Sequence, residues 1–373
     1  MHDYTYKSFD PSKNIELLFS FTPQAQKNFG IERVKQFLFE LHEEYRVASD
    51  GSSMRAFGVS LETDSADAIV ESEHGKNAYF MINEQPLTWT LLAPFILEGI
   101  VSVKNEGGKS IGFLDIGTGS GVYAVFAAKM FEFFNLREDI VGIDVNPRAL
   151  EFAEKNLEKN NLTERVKLIA GWFEKTTFPK GSVKTAGIWP PYHPCDVKYQ
   201  SLIPRHAWGG EDMQEVWRSQ VKTCYPMLAD HGVLIFNQQS PGGSAWKGPQ
   251  AIAEIEHLAP GASVIFADLF GPYSISNFLD SVYPGDDQKE YRERMEKKYT
   301  TIHYLIGAIV KDGLGRRVEF NHKLDNLPGW ENEPGGRIGC HRGIAKYIMS
   351  SRQRTFNDPP AKVGQYRTGN DVK

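Results

Sequence analysis

The 373-residue sequence predicts an α/β fold built on a mainly parallel sheet, because three apolar runs each end in a turn rich in polar residues, glycine or proline. These runs end at Asp115, Asp144 and Ile188. Helical patterns, with apolar residues three and four positions apart, follow the first two runs at 122–134 and 147–157. Alternation of buried strands with amphipathic helices is typical of βαβ units, whose strands are parallel.

The turn after the first strand is rich in glycine. Five of its residues are expected to contact a ligand: Asp115, Gly117, Thr118, Gly119 and Gly121. Glycine lets the backbone take positive φ and lets a ligand approach closely. The spacing G-x-G-x-G lacks the last glycine of the dinucleotide pattern G-x-G-x-x-G, since Val122 stands there. The turn therefore fits a nucleoside ligand without a pyrophosphate, and S-adenosylmethionine (SAM) is the candidate cofactor.

The second strand also ends in an acidic residue, Asp144. A carboxylate at this position of a nucleotide-binding unit can accept hydrogen bonds from both ribose hydroxyls. Asn146 as the N-cap and Pro147 in the first turn predict the helix that follows. We therefore expect Asp144, with Val145 beside it, to bind the ribose of SAM rather than to serve only as a helix cap.

A third turn reads Trp189-Pro190-Pro191-Tyr192-His193 and ends the predicted fourth strand. With the glycine turn and Asp144, it makes roughly residues 77–310 resemble the class I SAM-dependent methyltransferases, and within them the release-factor glutamine methyltransferase branch. In that branch the turn reads Asn-Pro-Pro-Tyr and lies beside the methyl group. The resemblance implies a Rossmann-like domain with a seven-stranded, mainly parallel sheet, and SAM as the cofactor.

The resemblance also implies where other elements lie. Trp172 and Phe173 should follow the third strand and contact SAM, and Gln85–Trp89 should form a proline-containing loop near the cofactor. A Gly209–Met213 segment should precede a helix. The last three strands are expected, with the final one antiparallel, at His231–Phe236, Ser263–Leu269 and Thr301–Val310.

Two residues depart from the family pattern. The Asn of the family accepts hydrogen bonds from a planar amide or amine nitrogen, whereas Trp189 has an N–H donor and no acceptor. Trp189 can instead supply an apolar wall or stack on an aromatic or cationic substrate. Gly171 stands where the branch has an Asp that contacts the adenine amine, so Trp172, Phe173 and backbone groups are left to hold the adenine.

The same turn carries the catalytic candidates, which are Tyr192, His193 and Trp189. His193 could take a proton from the acceptor at neutral pH, or it could only fix the loop. Trp189 and Pro190 are expected to contact SAM as well. The expected contacts of the acceptor substrate are Trp89, Trp189, Pro191 and Tyr192. Cys195 has no basic residue at a spacing that would indicate a catalytic pair, so we expect a buried thiol. The histidines are scattered and lack the spacing of paired metal ligands, so we expect no metal site.

Composition indicates an ordinary soluble protein, with 41% hydrophobic and 24% charged residues. No apolar run approaches the ~20 residues of a membrane helix, and the first residues do not resemble a signal peptide. Three widely spaced cysteines favour a reducing compartment, so we expect a cytoplasmic protein. The net charge of −5 counts against an extended nucleic-acid surface.

Three regions are expected. Residues 1–75 form an amino-terminal helical or cap region, which should lie over or beside the cleft and could recognise the substrate. Residues 76–350 form the methyltransferase domain, with an insertion near 271–299 whose charged helix, at 287–298, should be a solvated face. Residues 351–373 form a tail with few apolar residues, expected to be mobile.

Three functions remain open. The first is methyl transfer to a nitrogen or oxygen of a small molecule that carries an aromatic ring or an amine, and Trp189 and the aromatic residues of the insertion favour it. The second is N-methylation of a protein glutamine or an RNA base, which the Pro-Pro-Tyr turn favours. The third is SAM binding without transfer. We take the first as the working interpretation.

Overall fold

The computed structural model describes residues 15–42, 46–47, 52–56, 58–64, 85–103, 110–176, 178–202, 207–243, 248–269, 272–285 and 288–320. The amino-terminal part contains three helices and a small antiparallel sheet: α1 (Ile15–Ser20), α2 (Pro23–Phe29), α3 (Ile31–His42), β1 (Arg46–Val47), β2 (Ser53–Ala56) and β3 (Val59–Glu62). A long helix, α4 (Gln85–Ser102), leads to the large sheet.

Strands and helices then alternate: β4 (Ile111–Ile116), α5 (Val122–Phe133), β5 (Asp139–Asp144), α6 (Pro147–Lys159), β6 (Val166–Ala170), β7 (Val183–Ile188), α7 (Glu215–Cys224) and β8 (Leu228–Gly243). The last elements complete the sheet and form the insertion: β9 (Gly248–Pro249), α8 (Gln250–Leu258), β10 (Ser263–Asp268), β11 (Tyr273–Ser274), α9 (Ile275–Val282), α10 (Lys289–Lys298), β12 (Thr301–Val310) and β13 (Arg317–Glu319).

The large sheet has the strand order β13-β10-β12-β8-β7-β4-β5-β6. All pairings from β8 to β6 are parallel, and β12 runs antiparallel between β8 and β10. This confirms the Rossmann-like α/β fold, with seven main strands and an antiparallel last strand. The short strands β9, β11 and β13 extend it to ten strands. Helices α4 and α5 cover one face and helices α7 and α8 the other, so a central strand such as β7 is buried along its whole length.

The fifth main strand, β8, is longer than predicted. The sequence places its end at Phe236, but the strand continues to Gly243 and pairs with β12 as far as Gly242. The polar residues Asn237–Ser240 are fully buried there. Their side chains find partners inside the protein: Gln238 Nε2 donates to Met213 O at 2.9 Å, and Ser240 Oγ accepts from Ala251 N at 2.9 Å. These hydrogen bonds help a polar run to continue a buried strand, although Gln238 Oε1 finds no hydrogen-bond donor among the described residues.

The amino-terminal helices do not lie where we expected. Phe37 of α3 packs on Phe133 and Phe134, at the end of α5 that is farthest from the glycine turn. Ala25 N in α2 donates to Glu98 Oε2 near the end of α4, at 2.7 Å. The small sheet, in contrast, packs on α6 beside the glycine turn. The expectation that the helices lie over or beside the cleft is therefore wrong, and β3 lies beside the glycine turn instead.

The region of Gln85–Trp89 is also different from the prediction. We expected a loop, but these residues form the first turns of α4. A proline near the start of a helix needs no hydrogen-bond partner for its missing N–H, so Pro86 does not interrupt α4. The side chain of Trp89 lies outside the described residues, as do residues 321–373 with the predicted tail. Among the helices that the structure describes, none is long and apolar enough to cross a membrane.

The insertion contains two helices, α9 and α10, and α10 has an exposed charged side and a buried side. Tyr291 and Met295 of α10 are buried, and Tyr291 Oη donates to Glu211 O at 2.9 Å. Arg294 pairs with Asp196 (3.1 Å) and with Glu211 (2.6 Å). The charged residues therefore cover only one side of α10, and its other side packs on the segments that follow β7.

Candidate active site

The glycine turn has the backbone conformation that its sequence requires. Gly117, Gly119 and Gly121 have φ values of +72°, +55° and +84°. A Cβ on Gly117 or Gly119 would have no neighbour closer than 3.8 Å, so the turn leaves open space at these two positions. A Cβ on Gly121 would lie 3.2 Å from Ala153 Cα. The first two glycines therefore form a cradle that a ligand can enter, and the third lets α5 approach α6.

The side chain of Asp115 stabilises this turn by hydrogen bonds. Its Oδ2 accepts hydrogen bonds from Thr118 Oγ1 at 2.6 Å and from Ala124 N at 3.0 Å. The side chain is buried, and this burial raises the pKa of Asp115 to about 7 in spite of the two hydrogen bonds. Asp115 and Thr118 shape the turn in this way, and their direct contact with SAM stays a prediction.

Asp144 joins the turn to the end of β5. Its Oδ2 accepts from Gly119 N at 2.8 Å, and its Oδ1 accepts from Asn146 N at 2.8 Å. Burial raises the pKa of this carboxyl, and the backbone hydrogen bonds oppose the rise. Asn146 itself caps α6, as predicted, because its side chain accepts from Arg148 N at 3.0 Å. Asp144 is half-buried beside the cradle, and its contact with a ribose stays a prediction.

The residues predicted to hold the adenine follow β6. Gly171 N donates to Asp144 O at 2.8 Å, which holds this segment next to the end of β5. Trp172 is 48% exposed, whereas Phe173 is buried in the core. The exposed indole of Trp172 and the half-buried Val145 offer apolar surface on the side of the cradle away from β7.

An aromatic cluster lies on the other side of the cradle, at the end of β7. The ring of Trp189 stacks on Tyr123, with centroids 6.1 Å apart and 30° between the planes. Trp189 Nε1 donates to Tyr192 Oη at 3.4 Å, and Tyr192 meets the edge of Tyr304 on β12. We call Tyr123, Trp189, Tyr192 and Tyr304 the aromatic wall. The side chain at position 189 is thus part of a cluster of four aromatic rings.

The Pro190–Tyr192 turn is backed by the glycine-rich segment ahead of α7. A Cβ on Gly209 would lie 2.4 Å from Pro191 O and 2.6 Å from Tyr192 Cα, so only glycine allows this approach. His193 N donates to Ala207 O at 2.8 Å, which pairs the two segments like short strands. Pro190 is buried and Pro191 is half-buried. These contacts hold the turn rigidly at the carboxyl end of the central strand β7.

His193 points into the insertion. Its Nε2 lies 2.8 Å from Tyr283 Oη, and the side chain is 1% exposed. Tyr283 Oη donates its one proton to Pro194 O, so the proton between Tyr283 and His193 belongs to Nε2. This nitrogen cannot accept a proton from a substrate while the contact lasts. The geometry favours a His193 that fixes the loop, and its role as a base stays a prediction.

The rest of this loop is tied to the insertion by Gln288, whose Oε1 accepts from Asp196 N at 3.0 Å. Gln288 also contacts the Cys195 thiol. Cys195 is buried, as expected, and burial raises the pKa of its thiol to about 11, so it is a poor nucleophile at neutral pH. Among the described residues, no three His, Cys, Asp or Glu side chains are grouped so that they could hold a metal ion.

Sequence reasoning missed two members of the aromatic wall. Tyr123 is the second residue of the helix after the glycine turn, and this position could have identified it as a neighbour of the cradle. Tyr304 lies on β12, and only the register of β12 with β8 brings it to the site, where it pairs with Gln239. No local signal in the sequence marks Tyr304.

The burial of Asp115 predicts a specific pH dependence of stability. Its pKa is about 7 in the folded protein and near 3.8 when unperturbed, so the folded state holds a proton that the unfolded chain has released. The stabilising contribution is complete below about pH 4 and is lost as the pH rises through about 7. The variant Asp115→Asn stays neutral. We expect its free energy of unfolding, relative to wild type, to rise by up to about 4 kcal/mol between pH 4 and 8.

Denaturant unfolding of both proteins across this pH range measures the difference directly, because all other titrating groups are shared. A difference that stays constant with pH would contradict the raised pKa of Asp115.

Known proteins match the part of the chain that contains this site. A family model described as a methyltransferase domain matches residues 108–186. The release factor glutamine methyltransferase of Thermosynechococcus vestitus is 30% identical over 142 residues, which are 36% of this chain and 47% of that protein. The rRNA N(6)-adenosine-methyltransferase of Caenorhabditis elegans is 31% identical over 111 residues, or 29% of this chain and 49% of that protein. The chain thus spans about half the length of these two relatives.

A third relative is matched over more of its length. It is a protein of Methanocaldococcus jannaschii, provisionally named a protein N5-glutamine methyltransferase, and it is 31% identical over 152 residues. These residues are 40% of this chain and 69% of that protein. Together with the strand order of the sheet and the cradle at the glycine turn, this match shows that the chain belongs to the class I SAM-dependent methyltransferases.

Proposed function

We propose that this protein transfers the methyl group of SAM to a nitrogen or oxygen atom of a small molecule that carries an aromatic ring or an amine. The observation that supports this most strongly is the aromatic wall at the end of β7. Trp189 lies against Tyr123 and turns its indole N–H toward Tyr192, so the side chain at this position offers a ring face and no acceptor. A ring face favours flat or cationic groups by stacking and cation–π attraction.

The cradle fits the cofactor. Gly117 and Gly119 leave room for the methionine part of SAM to approach the backbone, and Asp144 would accept the ribose hydroxyls. Trp172 and Val145 would cover the adenine. Bound in this way, SAM supplies an activated methyl group on a positively charged sulfur. With the ribose at Asp144, the sulfur and its methyl group would lie on the Trp189 side of the cradle, next to the aromatic wall.

The protein's contribution to the transfer is alignment and exclusion of water. A nucleophile that approaches in line with the carbon–sulfur bond needs little chemical help once it is deprotonated and held in place. The rigid Pro190–Tyr192 turn and the rings beside it would hold the acceptor and remove water from around it. Tyr192 and Trp189 act here by positioning. If the acceptor must lose a proton, His193 is the candidate base from the sequence, and its buried contact with Tyr283 argues against that role.

A protein glutamine or an adenine of RNA is the second candidate acceptor, because the relatives with the names given above act on these groups. Two observations weigh against it. Position 189 lacks the amide that would hold a planar nitrogen. In addition, Arg292 and Arg294 of the insertion pair with Asp280 and with Asp196 and Glu211, so these charges are neutralised within the protein. A SAM-binding protein without transfer activity is the third candidate.

We extend the proposal to the regions of the chain. Residues 76–350 would form the catalytic domain, with the insertion near 271–299 as the support of the acceptor side. Residues 1–75 would contribute to substrate recognition. The position of β2 and β3 next to the glycine turn supports a role for this region at the site, and the position of α1–α3 does not.

The role of Asp144 can be tested by cofactor binding. We expect wild-type protein to bind SAM or S-adenosylhomocysteine with a micromolar dissociation constant, and Asp144→Ala to weaken binding about ten- to a hundredfold. This corresponds to ~1.5–3 kcal/mol for a charge-assisted pair of hydrogen bonds. The matched control is Asp139→Ala, at the exposed opposite end of the same strand, which should bind like wild type. Calorimetry in which wild type binds no SAM, or in which both variants bind equally, would contradict this assignment.

Substitutions of Trp189 test the acceptor class. The acceptor is first identified by incubating the protein and methyl-labelled SAM with a metabolite extract and detecting labelled product by mass spectrometry. Trp189→Phe should keep most activity on it, because a ring face remains. Trp189→Ala should raise KM for the acceptor strongly while SAM affinity changes little, because it removes the ring face; truncating a fully buried aromatic also costs ~3–5 kcal/mol of stability, and the half-buried Trp189 should cost less. Thermal unfolding of each variant shows how much of this is lost stability.

The variant Trp189→Asn introduces the amide that the family has at this position, and it tests the competing proposal of a protein or RNA acceptor. Under our proposal it gives no gain on the small-molecule acceptor. If wild type instead methylates a release factor or an RNA in a radiolabel assay, and Trp189→Asn increases that turnover, the small-molecule proposal is wrong.

A further inference from the structure

Two asparagine side chains of α6 form hydrogen bonds with the edge strand of the small sheet, as a neighbouring strand would. Asn160 Oδ1 accepts from Ser60 N at 2.9 Å, and its Nδ2 donates to Ser60 O at 2.8 Å. One turn earlier, Asn156 does the same with Glu62, at 2.7 Å and 2.8 Å. Each amide thus satisfies both backbone groups of one residue of β3, as a paired strand would. Both asparagines are buried.

The third hydrogen bond of each asparagine differs. Asn160 Nδ2 also donates to Asn156 O, within its own helix, at 2.6 Å. Asn156 Nδ2 also donates to Ser120 O, within the glycine turn, at 2.8 Å. A single buried amide therefore bridges the small sheet and the turn that forms the cradle for SAM.

Two further contacts strengthen the same link. Thr63, directly after β3, has its Oγ1 2.8 Å from Ser120 Oγ, and both side chains are buried. The next residue, Asp64, pairs with Arg148 in the first turn of α6 at 3.0 Å. The segment from Glu62 to Asp64 thus touches the turn between Gly119 and Gly121 and the start of the helix that follows Asp144.

We propose that Asn156 is a positioning residue that couples the small sheet to the SAM cradle. By fixing Ser120 O, it holds the turn in the left-handed conformation that keeps Gly119 N on Asp144 and leaves the cradle open. Cofactor affinity then depends on residues 59–64, which the glycine-turn pattern does not include. Since coupling between two sites is reciprocal, bound cofactor must in turn stabilise β2 and β3 against opening.

This inference rests on the proposed binding of SAM at the cradle and is independent of the acceptor. Its test compares Asn156→Ala with Asn160→Ala. Each variant loses both hydrogen bonds to β3, and only Asn156→Ala loses the contact with Ser120. We expect similar losses of thermal stability without ligand. The dissociation constant for S-adenosylhomocysteine, measured by calorimetry, should rise about tenfold in Asn156→Ala, as for one lost buried hydrogen bond, and less than about threefold in Asn160→Ala.

Thr63→Val gives a second, nearly isosteric variant in case Asn156→Ala does not fold, and it should weaken binding about threefold or more by loss of the Ser120 contact. Hydrogen exchange supplies a readout that a purely structural role would not move. Cofactor should slow exchange of the Glu62 and Thr63 amides in wild type, and this effect should disappear in Asn156→Ala or Thr63→Val.

Equal affinities of wild type, Asn156→Ala and Thr63→Val, or an equal loss in Asn160→Ala, would overturn the coupling. Wild type that binds no cofactor would overturn the proposed function itself, so the two failures can be told apart.

Discussion

The carboxylates of Asp115 and Asp144 hold the glycine turn from two sides, and the geometry of the whole site depends on them. In this turn the N–H groups of Gly117 and Thr118 donate to Ile143 O on β5, whereas the N–H of Gly119 needs a side-chain acceptor. Asp144 accepts from Gly119 N, and Asp115 accepts from Thr118 and from the first turn of α5. Burying two acids near each other is unfavourable, as the raised pKa of both shows. The structure offsets that unfavourable term with hydrogen bonds, and the result is a rigid cradle.

The acceptor side of the site depends on a different kind of contact. The Pro190–Tyr192 turn has no strand partner of its own at the edge of the sheet, and it is held by close backbone approach at Gly209 and by the insertion at His193. The insertion therefore acts as a support of the loop that follows this turn, which it contacts through Tyr283, Gln288 and Arg294. Under our proposal, Trp189 in place of the amide of the family would change which acceptor fits, while the same contacts hold the turn.

The sequence was informative wherever the signal was local. Positive φ at Gly117, Gly119 and Gly121, the cap at Asn146 and the positions of strands β10 and β12 all follow from short patterns. The extension of β8 could not be predicted, because Asn237–Ser240 read as a polar loop and are buried only through partners such as Met213 and Ala251, which are distant in the chain. The buried side of helix α10 was not predicted, for a similar reason. Its buried side is short, and the packing of Tyr291 and Met295 depends on tertiary contacts.

The position of the amino-terminal region could not be predicted either. The amphipathic pattern of α3 shows that one side is buried, but it does not show against which element, and the structure places that side on the end of α5 away from the cradle. The short strands β2 and β3 carry weak patterns, yet they lie at the site. Their contact with Asn156 depends on a helix about 94 residues later in the chain, for which a single sequence holds no signal.

A crystal structure of the protein with bound S-adenosylhomocysteine tests the central claim most directly. The account predicts that both ribose hydroxyls lie about 2.7 Å from the Asp144 carboxylate and that the sulfur faces the ring of Trp189. A ribose held by other residues, or a sulfur turned away from the aromatic wall, would contradict it.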